Sequence, residues 1–156
     1  MSTSQTLLIR TLTQHQCLQL LARNHVGRLA YAFHRRLDIQ PVNYVYDVGW
    51  LYGRTSEGTK LHTMAHNHWV AFEVDEVRGT FDWESVVVRG SFHRIDPDGS
   101  PEEQRAYARA LRLVRTIVPE TFAAQDPAPE RTVLFRISLG EMTGRKAGGG
   151  GERGLD

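Results

Sequence analysis

The run Arg54-Thr55-Ser56-Glu57-Gly58-Thr59-Lys60 gathers two cations, three hydroxyls and a glycine in seven residues, directly after the apolar, aromatic run Trp50-Leu51-Tyr52. Where a strand gives way to a short helix, the first backbone N–H groups of the helix have no intrahelical partner and attract anions. Arg54 can grip a phosphate through two parallel hydrogen bonds, Lys60 adds a point charge, and Thr55, Ser56 and Thr59 offer hydroxyls. Gly58 lets the backbone approach closely. A terminal phosphate monoester, carrying nearly two negative charges, suits this set better than a carboxylate. The Walker pattern, two glycines around four residues before the lysine, is not present. The plainer alternative is that Ser56 caps a helix, Glu57 complements its dipole and both cations stay in solvent. Polar groups also punctuate residues 40–44, QPVNY, and 83–90, WESVVVRG, where a purely structural strand has no use for them.

Charge bounds the partners of such a site. Lysine plus arginine number 19 against 18 acids in 156 residues, a formal charge of +1, so the broad attraction to nucleic acid or anionic membrane is missing and any anion must be held locally. The single cysteine, Cys17, excludes an internal disulfide framework and a multi-cysteine metal cluster. The opening MSTSQTLLIRTLTQ has neither a basic start with a long apolar run nor a small-residue cleavage site. No segment reaches the roughly 18 apolar residues of a membrane span. A soluble, cytoplasmic protein is expected.

The elements that must position these residues follow from periodicity. Thr13-Gln14-His15-Gln16 has the capping-box form, with Leu12 placed to staple onto Cys17, so a helix should start there and end near Asn24. From Val26 the period becomes two: Leu29, Tyr31 and Phe33 alternate with Arg28, Ala30 and Ala32, and Ile39, Val42, Tyr44 and Tyr46 resume after a turn. Asp47-Val48-Gly49 signals a hairpin into the strand beginning at Trp50. Ser56 or Thr59 opens a short helix over 61–66, followed by strands over 69–74 and 83–95. Ser100-Pro101-Glu102-Glu103 opens a long helix whose stripe is Tyr107, Ala110, Leu111, Val114, Ile117 and Val118, closed by Pro119. The last strand, 131–139, puts Val133, Phe135, Ile137 and Leu139 on one face. Six strands and three helices joined by short turns predict a mainly β fold, an antiparallel barrel with helices packed outside it. A single domain over 1–145 and a disordered glycine-rich tail over 146–156 are expected.

Other residues invite chemistry less strongly. His62 and His66 lie four apart with His68 nearby, yet Thr63 stands where the zinc-protease pattern needs glutamate, and metal binding is not expected. Cys17 on an apolar helix face reads as a packed, inert thiol. Ser85 has no sequence-local base, and Asp75-Glu76 with Asp82 read as a solvated strand end. Tyr44, Tyr46, Trp50 and Tyr52, without a basic surface, read as barrel core and interface.

Taken in order and at their intervals, GRLAYA, PVNYVYD, LYGRTSEGTKL, VAFEVDEV and WESVVVRG resemble the pyridoxamine 5′-phosphate oxidase-like, FMN-binding split-barrel family, in its small branch that includes nitroimidazole-resistance-type proteins. The likeness is good over about residues 13–95 and loose beyond. It implies FMN as cofactor and a homodimer with each flavin in a groove at the subunit interface. It implies that Arg54, Thr55, Ser56 and Lys60 hold the phosphate. Pro41, Val42 and Asn43 would run along the flavin ring, with Ser85 facing its pyrimidine side and Trp83 as a wall or dimer contact. It implies an oxidoreductase acting on a small molecule, with a nicotinamide as possible electron donor; no acid–base residue is nominated. The alternatives are a flavin carrier or sensor without turnover, or the same barrel holding haem or a deazaflavin. The chain ends RISLGEMTGRKAGGGGERGLD, lacking the family's basic substrate-binding C-terminal segment, which argues against oxidation of pyridoxamine phosphate itself. Arg54 also stands where close relatives often place histidine.

Overall fold

A computed structural model describes residues 8–148. Among these residues eight strands and three helices run in the order β1 (Ile9–Thr11), α1 (Gln14–Arg23), β2 (Val26–Phe33), β3 (Arg36–Asp47), β4 (Trp50–Thr55), α2 (Thr59–His66), β5 (Trp69–Gly79), β6 (Asp82–Arg94), α3 (Pro101–Ile117), β7 (Val133–Ser138) and β8 (Glu141–Ala147). All strand pairs are antiparallel. The sheet order is β1-β8-β6-β5-β2-β3-β4-β7, and a further β6–β7 pairing closes six of these strands into a ring. Those six are the strands expected from alternation. The expected total of six falls short by two, because β8 and the three-residue β1 extend the sheet outside the ring.

The closure depends on how one edge of β6 is shared. Trp83 to Arg89 pair with β8, and Phe92 to Arg94 pair with β7. At the changeover Gly90 passes directly under the carbonyl of Ser138, leaving no room for a side chain, and Gly140 lies against the Arg89 carbonyl. The chain therefore leaves one barrel wall and starts another within two residues. The same pairing corrects the expected tail: Lys146 and Ala147 are strand, not disordered, because Trp83 and Glu84 flank them on one side and Ile9 and Arg10 on the other. Ala147 is fully buried. The rest of that expected tail, 149–156, lies outside the described residues.

Local signals explain the helices. Thr13 caps α1 with both arms of the capping box made, and Cys17, Leu20 and Leu21 enter the core. Burial raises the Cys17 thiol above its ordinary pKa, as a packed thiol requires. Ser100 caps α3 through the Glu103 N–H, but the Glu103 carboxylate reaches the Asp96 N–H at 2.8 Å, tying down the preceding loop instead of completing a box. Ala106, Ala110 and Val114 pack with Tyr52, Ile95 and Leu134 in a second small core outside the barrel. Val48 and Gly49, both with positive φ, make the two-residue hairpin turn between β3 and β4. Among the described residues no helix is long and apolar enough to cross a membrane.

Candidate functional site

The end of β4 and the start of α2 enclose a cavity of about 270 Å³ lined by Gln40, Pro41, Val42, Arg54, Thr55, Ser56, Glu57, Gly58, Lys60 and Arg131. The structure thus brings the four expected phosphate residues together with Pro41 and Val42. Gly58 is the N-cap of α2, at φ +149, and no side chain caps the helix. Ser56 is not the cap, so the plainer reading of this segment fails, and the first N–H groups of α2 are left without a side-chain acceptor. The extended positive-φ conformation at Gly58 is one that glycine alone adopts readily.

The charges divide unevenly around the cavity. Arg54 is 7 % exposed and donates two hydrogen bonds, at 2.7 and 2.8 Å, to the carboxylate of Asp126, itself 3 % exposed. Asp126 also accepts the N–H groups of Phe122 and Ala128, each at 2.9 Å. The Arg54 guanidinium beside it holds the Asp126 carboxyl far below the usual carboxylate range. Glu57 is paired with Arg94 at 2.6 Å. Lys60 is half-buried, and its pKa is lowered by burial and by the nearby charge of Arg131. Two positive charges therefore border the cavity with no carboxylate against either among the described residues. A dianionic phosphate, with Thr55, Ser56 and the open turn of α2 as further donors, fits that charge and chemistry.

The remaining candidates lie elsewhere. Asn43 lines a neighbouring cavity of about 230 Å³ with Gly53, Arg54, Val114, Ile117, Pro127 and Arg131 among its walls. Trp83 and Ser85 share neither cavity. Register places them: Pro41, Arg28, Glu73 and Val87 form one row across β3, β2, β5 and β6. The adjoining row, Gln40, Leu29, Phe72 and Val88, turns inward, with Leu29, Phe72 and Val88 buried. By the two-residue alternation Pro41, Asn43, Trp83 and Ser85 all project from the same outer face of one sheet. Three strand spacings, roughly 14 Å, separate β3 from β6, so these residues flank a face of one chain and do not meet on it.

Between them sits a cluster that sequence reasoning treated as solvated. Arg28 contacts Asp75 at 3.2 Å and Glu73 at 3.4 Å on that face, while Arg23 holds Glu76 and Glu84 on the opposite face of the same strands. Burial, then the hydrogen bond and charge of Asp75, pushes the Glu73 carboxyl up to about 7 despite Arg28. An acid whose folded pKa exceeds its unfolded value of 4.5 favours folding below that value and loses the contribution as pH rises through about 7. Glu73→Gln should therefore raise the melting temperature at pH 8 by a few degrees relative to the parent and do much less at pH 5. Thermal melts at the two pH values test this; an equal shift at both would show that Glu73 does not titrate there.

A separate cavity of about 430 Å³ between α2 and the end of β6 contains His62, His68 and His93 in its wall. His68 stacks on His93 with ring centroids 6.5 Å apart, and burial followed by Arg136 and His68 lowers the His93 pKa. His93 escaped the sequence reading because it lies on a strand remote from the other two. Arg131 and Asp126 escaped it for the same reason, residing in a loop more than seventy positions after Arg54. An arginine two residues before an apolar strand was the sole available hint.

A closed antiparallel barrel with a phosphate-type loop between strand and helix, and two strands carried outside the ring, is a split barrel of the flavin-binding kind. Residues 13–146 match the family model described as pyridoxamine 5′-phosphate oxidase, and the chain belongs to that family. A FAD-binding protein from Mesorhizobium loti is 29 % identical, aligned over 90 % of this chain and 99 % of its own, with a TM-score of 0.73. The FAD-binding protein from Mycobacterium smegmatis is 27 % identical over 88 % and 98 %, with a TM-score of 0.65. A candidate 5-nitroimidazole antibiotic resistance protein from Bacteroides thetaiotaomicron shares the fold at 19 % identity, covering 92 % of this chain and 90 % of its own, with a TM-score of 0.68. The family is one of flavin-binding proteins with this fold.

Proposed function

We propose that the protein is a cytoplasmic, homodimeric flavin-dependent oxidoreductase acting on a small molecule, with FMN as cofactor. The observation that carries this reading is the cavity at the uncapped start of α2, where Lys60 and Arg131 present charge with no carboxylate against them among the described residues. Thr55 and Ser56 add hydroxyls to it, and Pro41 and Val42 lead from it along β3. Asn43, on the outer face, would meet the polar edge of the ring. Hydrogen-bond donors at that edge favour the negative charge of the reduced state. A flavin there supplies reversible hydride transfer between a nicotinamide donor and the substrate. FAD is the second reading of the cofactor, because two of the relatives above are FAD-binding proteins and the same phosphate corner serves both.

The dimer is supported by the outer sheet face. Leu37 and Ile39 on β3, Val26 on β2, and Trp69 and Val77 on β5 are large, apolar and exposed there. Large apolar side chains left exposed together on one sheet face favour an interaction face. A second copy covering it would bring Ser85 and Trp83 of the partner subunit toward Asn43, which one chain alone leaves apart. Sedimentation velocity of protein mixed with FMN, recorded in the blue band of oxidised flavin, tests cofactor and assembly together. The flavin is expected to sediment with about twice the mass of one chain, 17.7 kDa, and to bleach when a nicotinamide donor is added. Flavin left at the meniscus would refute the cofactor reading. Flavin sedimenting with a monomer would refute the dimer, and retained flavin reduced no faster than free flavin would favour a carrier or sensor.

A further inference from the structure

We infer that Arg131 is a phosphate-binding residue of the flavin site, acting with Lys60, while Arg54 serves as the positioning residue that holds the loop presenting it. The inference rests on the flavin reading and assigns the charges within it differently from the RTSEGTK motif alone. Four charged side chains of this corner are accounted for in pairs: Arg54 with Asp126, and Glu57 with Arg94. Arg54 is bound on two nitrogens by a carboxylate, so its charge is largely cancelled toward any ligand. Among the described residues Lys60 and Arg131 are the two cations of this cavity left without a carboxylate, and their sum of +2 matches the dianion of a phosphate monoester.

The loop geometry explains how a residue so distant in sequence arrives here. Thr55 pairs with Val133 at the end of β4 and β7, and continuing that antiparallel register puts Arg131 opposite Glu57, beside the cavity. Asp126 fixes the approach by accepting the Phe122 and Ala128 N–H groups while it holds Arg54. Ala128 in turn accepts the Arg131 N–H at 3.0 Å. Phe122 is held at φ +63, a conformation costly for a bulky residue, which persists where its surroundings over-determine it. The chain from Arg54 through Asp126 and Ala128 to Arg131 is thus a continuous set of hydrogen bonds. Arg131 and Arg54 both line the 270 Å³ cavity and the 230 Å³ cavity beside it, and of the two it is Arg54 whose guanidinium is held by a carboxylate.

The test compares FMN with riboflavin, which lacks the phosphate, by fluorescence titration of the parent protein, Arg131→Ala and Arg131→Lys. Loss of Arg131 should weaken FMN about tenfold or more and leave riboflavin within about twofold, with Arg131→Lys between. Equal weakening of both flavins, or unchanged FMN affinity, would overturn the assignment while leaving the flavin reading standing. A parent protein that binds neither flavin would overturn both. A second readout needs no ligand: the Lys60 ammonium, followed by NMR of dimethylated lysine, should titrate closer to its ordinary 10.5 in Arg131→Gln than in the parent. An unmoved Lys60 would show that the two cations do not share the cavity.

Discussion

Arg54→Ala is expected to lower the melting temperature by roughly 10 °C, an effect on folding that precedes any effect on flavin affinity. The substitution strands a carboxylate that is 3 % exposed and whose ionised form the structure favours strongly. Asp126 would keep its two backbone donors and lose the cation, and the loop from 118 to 132 would loosen with it. The sign of the pH dependence follows. Because the folded pKa of Asp126 lies below its ordinary 3.8, the pair contributes fully above that value, and the contribution is lost as pH falls below it. Circular dichroism melts at pH 7 check the magnitude. The double variant Arg54→Leu/Asp126→Leu should recover much of the loss, since removing both charges leaves none unpaired. If Arg54→Ala melts like the parent, the pair is not buried as described, and Arg54 returns to the list of free phosphate ligands.

Gly90→Ala should be about as damaging, for a steric reason with no charge in it. A β-carbon at this position would overlap the Ser138 carbonyl, a backbone group with no rotamer to move. The neighbouring Ser91 N–H is held by the Ser138 hydroxyl at 2.9 Å, so both strands are fixed at the crossing. Moving β7 outward would break its pairing with Phe92, His93 and Arg94 and open the ring. Gly79→Ala is the control: the nearest atom to a β-carbon there is 3.9 Å away, and its melting temperature should stay within about 2 °C of the parent. A drop of about 10 °C at Gly90 and almost none at Gly79 is the expected contrast, and matched melts would show that the crossing is looser than described.

How much of this was legible beforehand divides along physical lines. The capping signals at Thr13 and Ser100 act within a turn of helix, so sequence shows them, although where the Glu103 carboxylate points depended on a loop that local rules do not place. Alternation located all six ring strands because their inner faces bury a common core. It misplaced Ile39, grouped with Val42 and Tyr44 but one residue out of phase with them, and Ile39 is 68 % exposed on the outer face. β8 went unseen because Glu141 to Ala147 buries just Gly144 and Ala147 and carries little apolar pattern. The loop that lines the 270 Å³ cavity was visible as anion-binding chemistry in seven consecutive residues. The partner that occupies Arg54 and the second cation beside Lys60 come from one distant loop, and no local spacing announces a meeting of that kind.

The shared edge of β6 also bears on how the molecule is made. A ribosome releases β2 to β6 long before β7 exists, and until Val133 to Ser138 emerge the unpaired flanks of β4 and β6 remain as two open templates for foreign strands. The ring closes through contacts between segments some eighty residues apart, the slow kind of pairing, so the nascent chain passes through a vulnerable interval that lasts until β7 emerges. A protein stopped short of β7 would be more than a shortened barrel: it would be an aggregation seed carrying most of the core.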